Sequence, residues 1–247
     1  MSLFLILFLV GMVVFITHTP EAITGFGCTV LAFPFVIALM GDIEQAKIIL
    51  SILAWILAAY FAITKFKSID WKQFGIIVLL TGLGMPIGML LFKAYNPLLL
   101  KKVLGVFIVL SAGIQLTKIF VPNNKIITLP SFFNYNFLFL GGIIHGAFAV
   151  GGPFVVLYSS KKILDKGQFR ATMTLLWTTL NTFLVLQYFL EKKLTEKVGI
   201  DLLFLLPFLI GGIVLGEVIH TKVSENLFKK IVFFSLLLVG IIMVIIN

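Results

Sequence analysis

Several ionisable side chains in this sequence stand inside long apolar stretches, where lipid is the expected surrounding. They include His18, Glu21, His145 and Arg170. Ionisable groups at membrane depth are costly and often mark a substrate or proton pathway. An imidazole has an ordinary pKa of about 6.5 and can exchange protons near neutral pH. The proton-coupling candidates are therefore His145, His18 and Glu21. Two alternatives stay open: a satisfied imidazole between helices for His145, and a wetted segment near the outer surface for His18 and Glu21.

Arg170 is the candidate cation for an anionic substrate. Its planar guanidinium matches sulfonate oxygens better than an ammonium group does. The alternative is an interfacial anchor that reaches towards lipid headgroups. Ala46 takes the equivalent place in the first half of the chain, which favours a functional charge over a repeated structural one. Trp177 and Asn181 are four residues apart, so both are predicted to face one cavity, although Asn181 bonding a neighbouring helix is an equal alternative.

Glycine-rich interruptions divide two apolar segments, near 17–27 and near 145–152. Both stretches are predicted to be non-helical and to face each other, because unpaired backbone survives at membrane depth only inside protein or along a wet cavity. Pro153 suits the first turn of a new half-helix. The free N–H groups of such a helix start form an anion site without formal charge, and transporters built from repeats bind substrate there.

These features predict a substrate site made from glycines and a few polar or aromatic side chains. The predicted binding residues are Gly25, Gly27, His145, Gly146, Gly151, Gly152, Arg170, Trp177 and Asn181. The alternative is that the glycines only allow close helix packing. If the site interpretation holds, Gly151→Val and Gly152→Val should abolish transport while the protein still reaches the membrane.

The elements that must position these residues are transmembrane helices. The sequence is 60% hydrophobic, only 12% charged, and has a mean hydropathy of +1.16, whereas soluble domains carry about 25% charged residues. Spans need about 20 apolar residues, and eight segments qualify. They are 3–40, 46–64, 74–92, 98–120, 136–160, 168–190, 198–219 and 228–246. The predicted fold is an all-α polytopic bundle.

The two halves of the chain resemble each other, which predicts two four-segment repeats, at 1–120 and 136–247, with a connector at 121–135. Gly84 and Gly88 match Gly212 and Gly216 at an offset of 128, and Gly27 matches Gly151 at an offset of 124. Chance similarity between apolar segments is the alternative. Parallel and inverted repeats both fit, and basic residues only weakly favour termini outside.

Other functional classes find little support in the sequence. The +9 net charge is split among short loops, which fits lipid headgroups and not a nucleic-acid footprint. Metal-protease, P-loop, serine-hydrolase and haem motifs are absent, and Cys28 is the sole cysteine. No enzyme activity, cofactor, metal or catalytic residue is predicted.

The motifs around the breaks resemble the TauE/SafE family of sulfite and organosulfonate transporters over essentially the whole chain. The resemblance rests on Gly25-Phe26-Gly27 with Pro34 downstream, on 142–153, and on Phe169-Arg170-Ala171-Thr172. Where the family often has three glycines, this chain has Gly27-Cys28-Thr29. The resemblance implies an eight-helix permease of a prokaryotic cell membrane that handles small sulfur-containing anions.

The leading hypothesis is a secondary transporter that holds such an anion between two half-helix N-termini near the bilayer midplane. H⁺ and Na⁺ are both candidate coupling ions, and a homo-oligomer is compatible with the sequence. A passive anion channel on the same scaffold is one alternative, and a membrane-embedded enzyme or assembly factor is another. If His145 carries the proton, His145→Gln should flatten the pH dependence of transport. Arg170→Lys should lower the affinity for the anion and leave the pH dependence of transport unchanged.

Overall fold

The computed structural model describes residues 2–94 and 131–245 and, between them, 105–106, 109–110, 112–113, 116–117 and 119–120. The regular structure of these residues is helical. The long helices are α1 (Leu3–Thr24), α2 (Cys28–Met40), α3 (Ile43–Thr64), α4 (Trp71–Ala94), α5 (Ser131–Phe148), α6 (Gly152–Lys162), α7 (Lys166–Leu190), α8 (Glu196–Lys222) and α9 (Glu225–Ile245). The described residues within 105–120 are also helical.

Among the described residues, five helices are long and apolar enough to cross a membrane. The qualifying stretches are Leu3–Thr24, Glu44–Thr64, Trp71–Leu91, Lys166–Leu190 and Glu196–Lys222. The chain is therefore a multi-pass helical membrane protein. The predicted span at 98–120 and the first ten residues of the predicted connector fall largely outside the described residues, and α5 begins at Ser131, inside that connector. The total of eight spans stays a prediction.

The two helix breaks are shorter than the sequence predicts. Only 25–27 and 149–151 are non-helical, whereas 17–24 and 145–148 continue α1 and α5, and Gly152 already belongs to α6. The prediction that all of 17–27 and 145–152 is non-helical is therefore wrong. In α1 the polar side chains bond back to the helix itself: Thr17 Oγ1 and Thr24 Oγ1 donate to the carbonyls of Val13 and Pro20. Such bonds satisfy these side chains within the helix and leave it intact.

Glycines bring α4 against α5 and α8 against α1. A side chain at Gly84 would overlap the Phe139 carbonyl group, and one at Gly88 would overlap that of Ile143. On the other interface, a Cβ at Gly212 would lie 3.3 Å from the Phe15 carbonyl oxygen. One at Gly216 would lie 2.9 Å from the Thr19 carbonyl oxygen. Each broken helix thus packs on a glycine-bearing helix from the other half of the chain.

Helices α3 and α7 pack against each other and complete the core around the breaks. Each begins directly after a loop with an aspartate N-cap: the Asp42 carboxylate accepts from Gln45 N at 3.0 Å, and the Asp165 carboxylate accepts from Gln168 N at 2.7 Å. Across the breaks, α1 contacts α2 and α5 contacts α6. Helices α2 and α6 have 13 and 11 residues. At 1.5 Å per residue they extend only about 20 and 17 Å, less than the bilayer core.

Candidate functional site

The first break depends on two glycines in the left-handed region. Gly25 has φ +84° and Gly27 has φ +104°, a conformation that glycine adopts without the steric cost met by other residues. The Gly25 N–H donates to the Glu21 carbonyl at 2.6 Å and closes the end of α1. An added Cβ at Gly25 would lie 3.1 Å from the backbone of Arg170, whereas one at Gly27 would meet nothing within 4 Å. Gly27 therefore opens onto free space.

The second break has a different backbone conformation. Ala149 takes the left-handed conformation at φ +58°, and its N–H donates to the His145 carbonyl at 2.7 Å. Gly151 lies in the ordinary helical region. It is a glycine for another reason: a Cβ there would overlap the Gly141 carbonyl oxygen and come within 2.8 Å of the His145 Cβ. Pro153 follows in the first turn of α6, as the sequence predicts.

A small cavity lies where the two breaks approach each other. It contains about 310 Å³ of space free of protein atoms, and this figure includes space open to the surroundings. Its lining comes from α1, α2, α3, α5, α6, α7 and both breaks. The lining residues are Glu21, Gly27, Thr29, Val30, Ala54, His145, Ala149, Val150, Gly152, Trp177 and Asn181.

Residues in the first turns of two helices line this cavity. Thr29 and Val30 lie in the first turn of α2, and Gly152 lies in the first turn of α6. First-turn N–H groups have no partner within their own helix, and the positive end of the helix dipole lies behind them. No lysine or arginine belongs to the cavity lining. Attraction for an anion would therefore come from these amides and from neutral side chains.

His145 and Asn181 supply buried polar atoms that meet no hydrogen-bond geometry with the described residues. His145 is 2% exposed, Asn181 is 3% exposed, and both line the cavity. Neither ring nitrogen of His145, nor the Asn181 Oδ1, has a hydrogen-bond partner among the described residues. Buried polar atoms are usually satisfied, so such orphans call for a ligand, an ion or water. The His145 ring stacks on Trp177, with centroids 5.3 Å apart, and Trp177 Nε1 donates to the Gly25 carbonyl at 2.8 Å.

Glu21 is the charged side chain of the cavity. It is 3% exposed, and its Oε2 accepts a hydrogen bond from the backbone N–H of Cys28 at 2.6 Å. Cys28 is the first residue of α2. The carboxylate therefore reaches across the break and caps the helix start, where the dipole favours negative charge. Sequence reasoning named Glu21 as a proton-coupling candidate but gave no indication of this bond.

Arg170 lies beside the first break but not in the cavity lining. Its guanidinium Nη1 donates to the Ala22 carbonyl at 3.0 Å and to Glu217 Oε2 at 2.6 Å. Lys65 joins the other oxygen of Glu217 at 2.6 Å, and the Arg170 guanidinium lies over the Phe61 ring at 4.5 Å. The structure thus places Arg170 at the negative, carbonyl end of α1, where a cation is stabilising.

Lys47 holds the corresponding place at the second break. Its Nζ donates to the Ala147 carbonyl at 3.0 Å, close to the end of α5. The sequence comparison had placed Ala46 opposite Arg170 and concluded that the charge was not a repeated device. That conclusion is wrong, because the cation is displaced by one position along α3. Each broken helix ends on a cation contributed by the other half of the chain.

The remaining predicted residues support the site from outside the cavity. His18 is buried in α1, where its Nδ1 pairs with the Val14 carbonyl at 2.9 Å. Gly146 packs α5 against Met85 of α4, while Gly25 and Gly151 shape the breaks. The structure thus brings together Gly27, His145, Gly152, Trp177, Asn181 and Glu21 in one lining.

Five lining residues escaped the sequence analysis: Thr29, Val30, Ala54, Ala149 and Val150. Four of them lie within three residues of Gly27 or Gly151, so closeness in sequence to the break glycines was the available signal. Ala54 had none, because a small apolar residue within a transmembrane helix looks the same whether it meets lipid, protein or a cavity.

The fold and the cavity define a multi-pass membrane protein with two broken helices that meet at a small buried site. The chain matches the family described as "Sulfite exporter TauE/SafE" over residues 3–243 and belongs to it. This assignment confirms the family that the sequence motifs resemble. Comparisons with curated proteins and with solved structures gave no match.

Proposed function

We propose that the chain is a secondary transporter of a small sulfur-containing anion, such as sulfite or an organosulfonate, and not an enzyme. The observation that carries the proposal is the cavity between the breaks. There the first turns of α2 and α6 converge with the unpartnered side chains of His145 and Asn181. Membership of a sulfite exporter family supports the substrate class. A prokaryotic cell membrane is the proposed location.

The proposed transport mechanism rests on a two-repeat architecture. The helix breaks lie 124 positions apart, at 25–27 and 149–151. The interfaces of α1 with α8 and of α5 with α4 use glycines and carbonyl groups at equivalent positions. These equivalences support two repeats related by a pseudo-twofold axis through the cavity. Rocking of one repeat against the other would then expose the anion to alternate sides.

The Arg170 role predicted from sequence is revised in this proposal. Direct contact with the anion would require Arg170 to leave both the Ala22 carbonyl and Glu217. Arg170 acts instead as a positioning residue that fixes the end of α1. Gly27, Gly152, His145, Trp177 and Asn181 form the proposed contact set, with Gly25, Gly146 and Gly151 setting the backbone around them.

The test is uptake by purified protein in liposomes. The panel contains sulfite, sulfate, thiosulfate, sulfoacetate and taurine, and each anion is assayed with and without counter-anion inside the vesicles. Accelerated exchange with counter-anion identifies a carrier. Conduction far above carrier rates without counter-flow identifies a channel, and no flux for any anion contradicts a transport function.

Gly152→Ala tests the location of the site. A Cβ at Gly152 has ordinary clearance, with Phe26 Cδ2 at 3.5 Å and Trp177 Cζ2 at 3.8 Å, so the protein should fold. The methyl group projects into the cavity lining and should lower anion affinity. Gly75→Ala is the matched control because the added Cβ meets nothing within 4 Å on an exposed face of α4. Equal anion affinity in the two variants would show that the anion binds elsewhere.

A further inference from the structure

The cavity already contains an acidic side chain that belongs to the protein. Glu21 is buried, its carboxylate caps α2 through the Cys28 N–H at 2.6 Å, and it forms no ion pair among the described residues. The N–H groups that would attract a substrate at this helix start are thus partly engaged by a tethered carboxylate. A substrate anion entering the same cavity meets a negative charge there.

The second helix start lacks such an occupant. Position 145, which matches position 21 at the offset of 124, is a histidine. The N-cap of α6 is Gly151, which has no side chain, and the described residues show no carboxylate in the place that Glu21 takes at the start of α2. The His145 ring nitrogens and the Asn181 Oδ1, all buried and unpartnered, line the cavity on this side. A ligand is therefore expected on the α6 side, with Glu21 opposite to it.

We infer that Glu21 is a displaceable internal anion that couples substrate binding to uptake of one proton. This inference rests on the proposed transport function. Two negative charges in a small, buried cavity repel strongly, because the surroundings screen them poorly. A proton from water that binds the Glu21 carboxylate removes this repulsion and weakens the hold on the α2 start. Since the coupling is reciprocal, a bound anion favours protonation of Glu21 as much as the proton favours the anion.

Other titratable and charged groups lie on the helices around Glu21. They include His18, Cys28, Glu44, Lys47, His145, Lys166, Arg170, Asp201, Glu217, His220, Lys222, Lys229 and Lys230. Arg170 and Glu217 pair with each other, and His220 Nδ1 pairs with the Ile23 carbonyl at 2.8 Å. Lys47 donates to the Ala147 carbonyl. His145 shares the cavity with Glu21 and is the main rival for the coupled proton.

Glu21→Gln separates the two groups. The glutamine side-chain oxygen can still accept from Cys28 N, so the α2 cap is kept while the charge and the titration are lost. Asp201→Asn is the matched control: Asp201 is a second buried carboxylate, accepts from Gln45 Nε2 at 2.6 Å, and lies outside the cavity lining. Methanesulfonate is the probe, because its charge is constant over about pH 5 to 8, where imidazole titrates.

Binding is measured with purified protein, and uptake is measured in liposomes with an imposed membrane potential. In the wild type, the Kd for methanesulfonate should decrease as the pH is lowered, because protonation of Glu21 favours the anion. Uptake of this monovalent probe should be insensitive to the membrane potential, because a proton accompanies each anion. Glu21→Gln should bind more tightly at neutral pH, by a factor between about 5 and 150. Its binding should lose the pH dependence, and its uptake should follow the potential. Asp201→Asn should behave as wild type.

Three results would overturn the inference. Glu21→Gln with wild-type affinity and an unchanged pH profile would exclude Glu21 as the coupled group. A pH profile abolished by His145→Gln but kept by Glu21→Gln would assign the proton to the imidazole. Binding and flux absent for methanesulfonate and for every compound of the panel, in the wild type and in Glu21→Gln alike, would instead reject the proposed function itself, and the inference with it.

Discussion

The two helix breaks occupy equivalent positions in the two halves of the chain but differ in their backbone angles and side-chain contacts. In the first, Gly25 and Gly27 adopt left-handed backbone angles and the Glu21 carboxylate fills the start of α2. In the second, Gly151 has an ordinary helical backbone and, as the N-cap of α6, offers no side chain of its own. The same position holds a carboxylate in one break and an unpartnered imidazole in the other. The comparison shows that one helix start is bonded by a side-chain carboxylate, whereas the other has an imidazole beside it instead.

At both breaks, a cationic side chain from the other half of the chain bonds a carbonyl group near the end of the preceding helix. Arg170 of α7 bonds Ala22 near the end of α1, and Lys47 of α3 bonds Ala147 near the end of α5. A helix end leaves carbonyl groups without partners, and at membrane depth water is not available to satisfy them. These charges therefore stabilise the breaks, and the buried cavity between them carries no cation in its lining.

The largest expected effect comes from Gly151→Val. The added side chain would overlap the Gly141 carbonyl oxygen and press on the His145 Cβ, and a backbone group cannot move aside as a side chain can. We expect a destabilisation of about 3 kcal/mol or more, seen as loss of the monodisperse peak in detergent. Loss of transport in this variant would thus reflect folding, contrary to the expectation from sequence. A folded Gly151→Val protein with the wild-type melting temperature would contradict this account.

Arg170→Ala should have the second-largest effect on stability. It removes charge-assisted bonds to Ala22 and Glu217, worth about 1.5–3 kcal/mol, although Lys65 still neutralises Glu217. The melting temperature should fall, while the Kd for anion in the folded protein should stay unchanged. Lys47→Ala should cost less, since Lys47 is only half-buried. A Kd raised tenfold by Arg170→Ala at unchanged stability would restore Arg170 as a substrate ligand.

Gly27→Ala should have an intermediate effect of a different origin. The space around its Cβ is open, so the cost is the left-handed backbone at φ +104°, about 1–2 kcal/mol. Thermal unfolding against wild type measures this cost. Gly152→Ala serves as the comparison, because Gly152 has no positive φ. Equal melting temperatures for the two variants would show that the first break tolerates side chains and would weaken the contrast with the second.

Trp177→Phe should have the smallest effect. The phenyl ring keeps an aromatic face for His145 but loses the Nε1 donor that bonds the Gly25 carbonyl across the breaks. One neutral hydrogen bond contributes about 0.5–1.5 kcal/mol, so a small drop in melting temperature is expected. The pH dependence of anion binding should be unchanged. A change in that dependence would show that Trp177 positions His145 for titration.

Much of the fold can be predicted from the sequence, because helices that cross lipid need long apolar runs. Long apolar runs with charged gaps predicted the membrane helices, and the five qualifying helices agree with runs at 3–40, 46–64, 74–92, 168–190 and 198–219. Glycine at Gly25, Gly27 and Gly151 located both breaks, because local backbone geometry or close approach excludes other residues there. The extent of the breaks was overestimated, since threonine and histidine side chains bonded within α1 instead of interrupting it.

The inventory of the cavity was decided only by the tertiary structure. Helices in lipid are apolar around most of their circumference, so periodicity does not reveal which face meets a cavity. Arg170 and His145 therefore looked alike as intramembrane polar residues, yet one closes a helix end and the other lines the cavity. The bond from Cys28 to Glu21 and the cation at Lys47 also depend on how separate helices are rotated and set against each other. Residue order determined where the chain breaks, and packing between the two halves determined what each break holds.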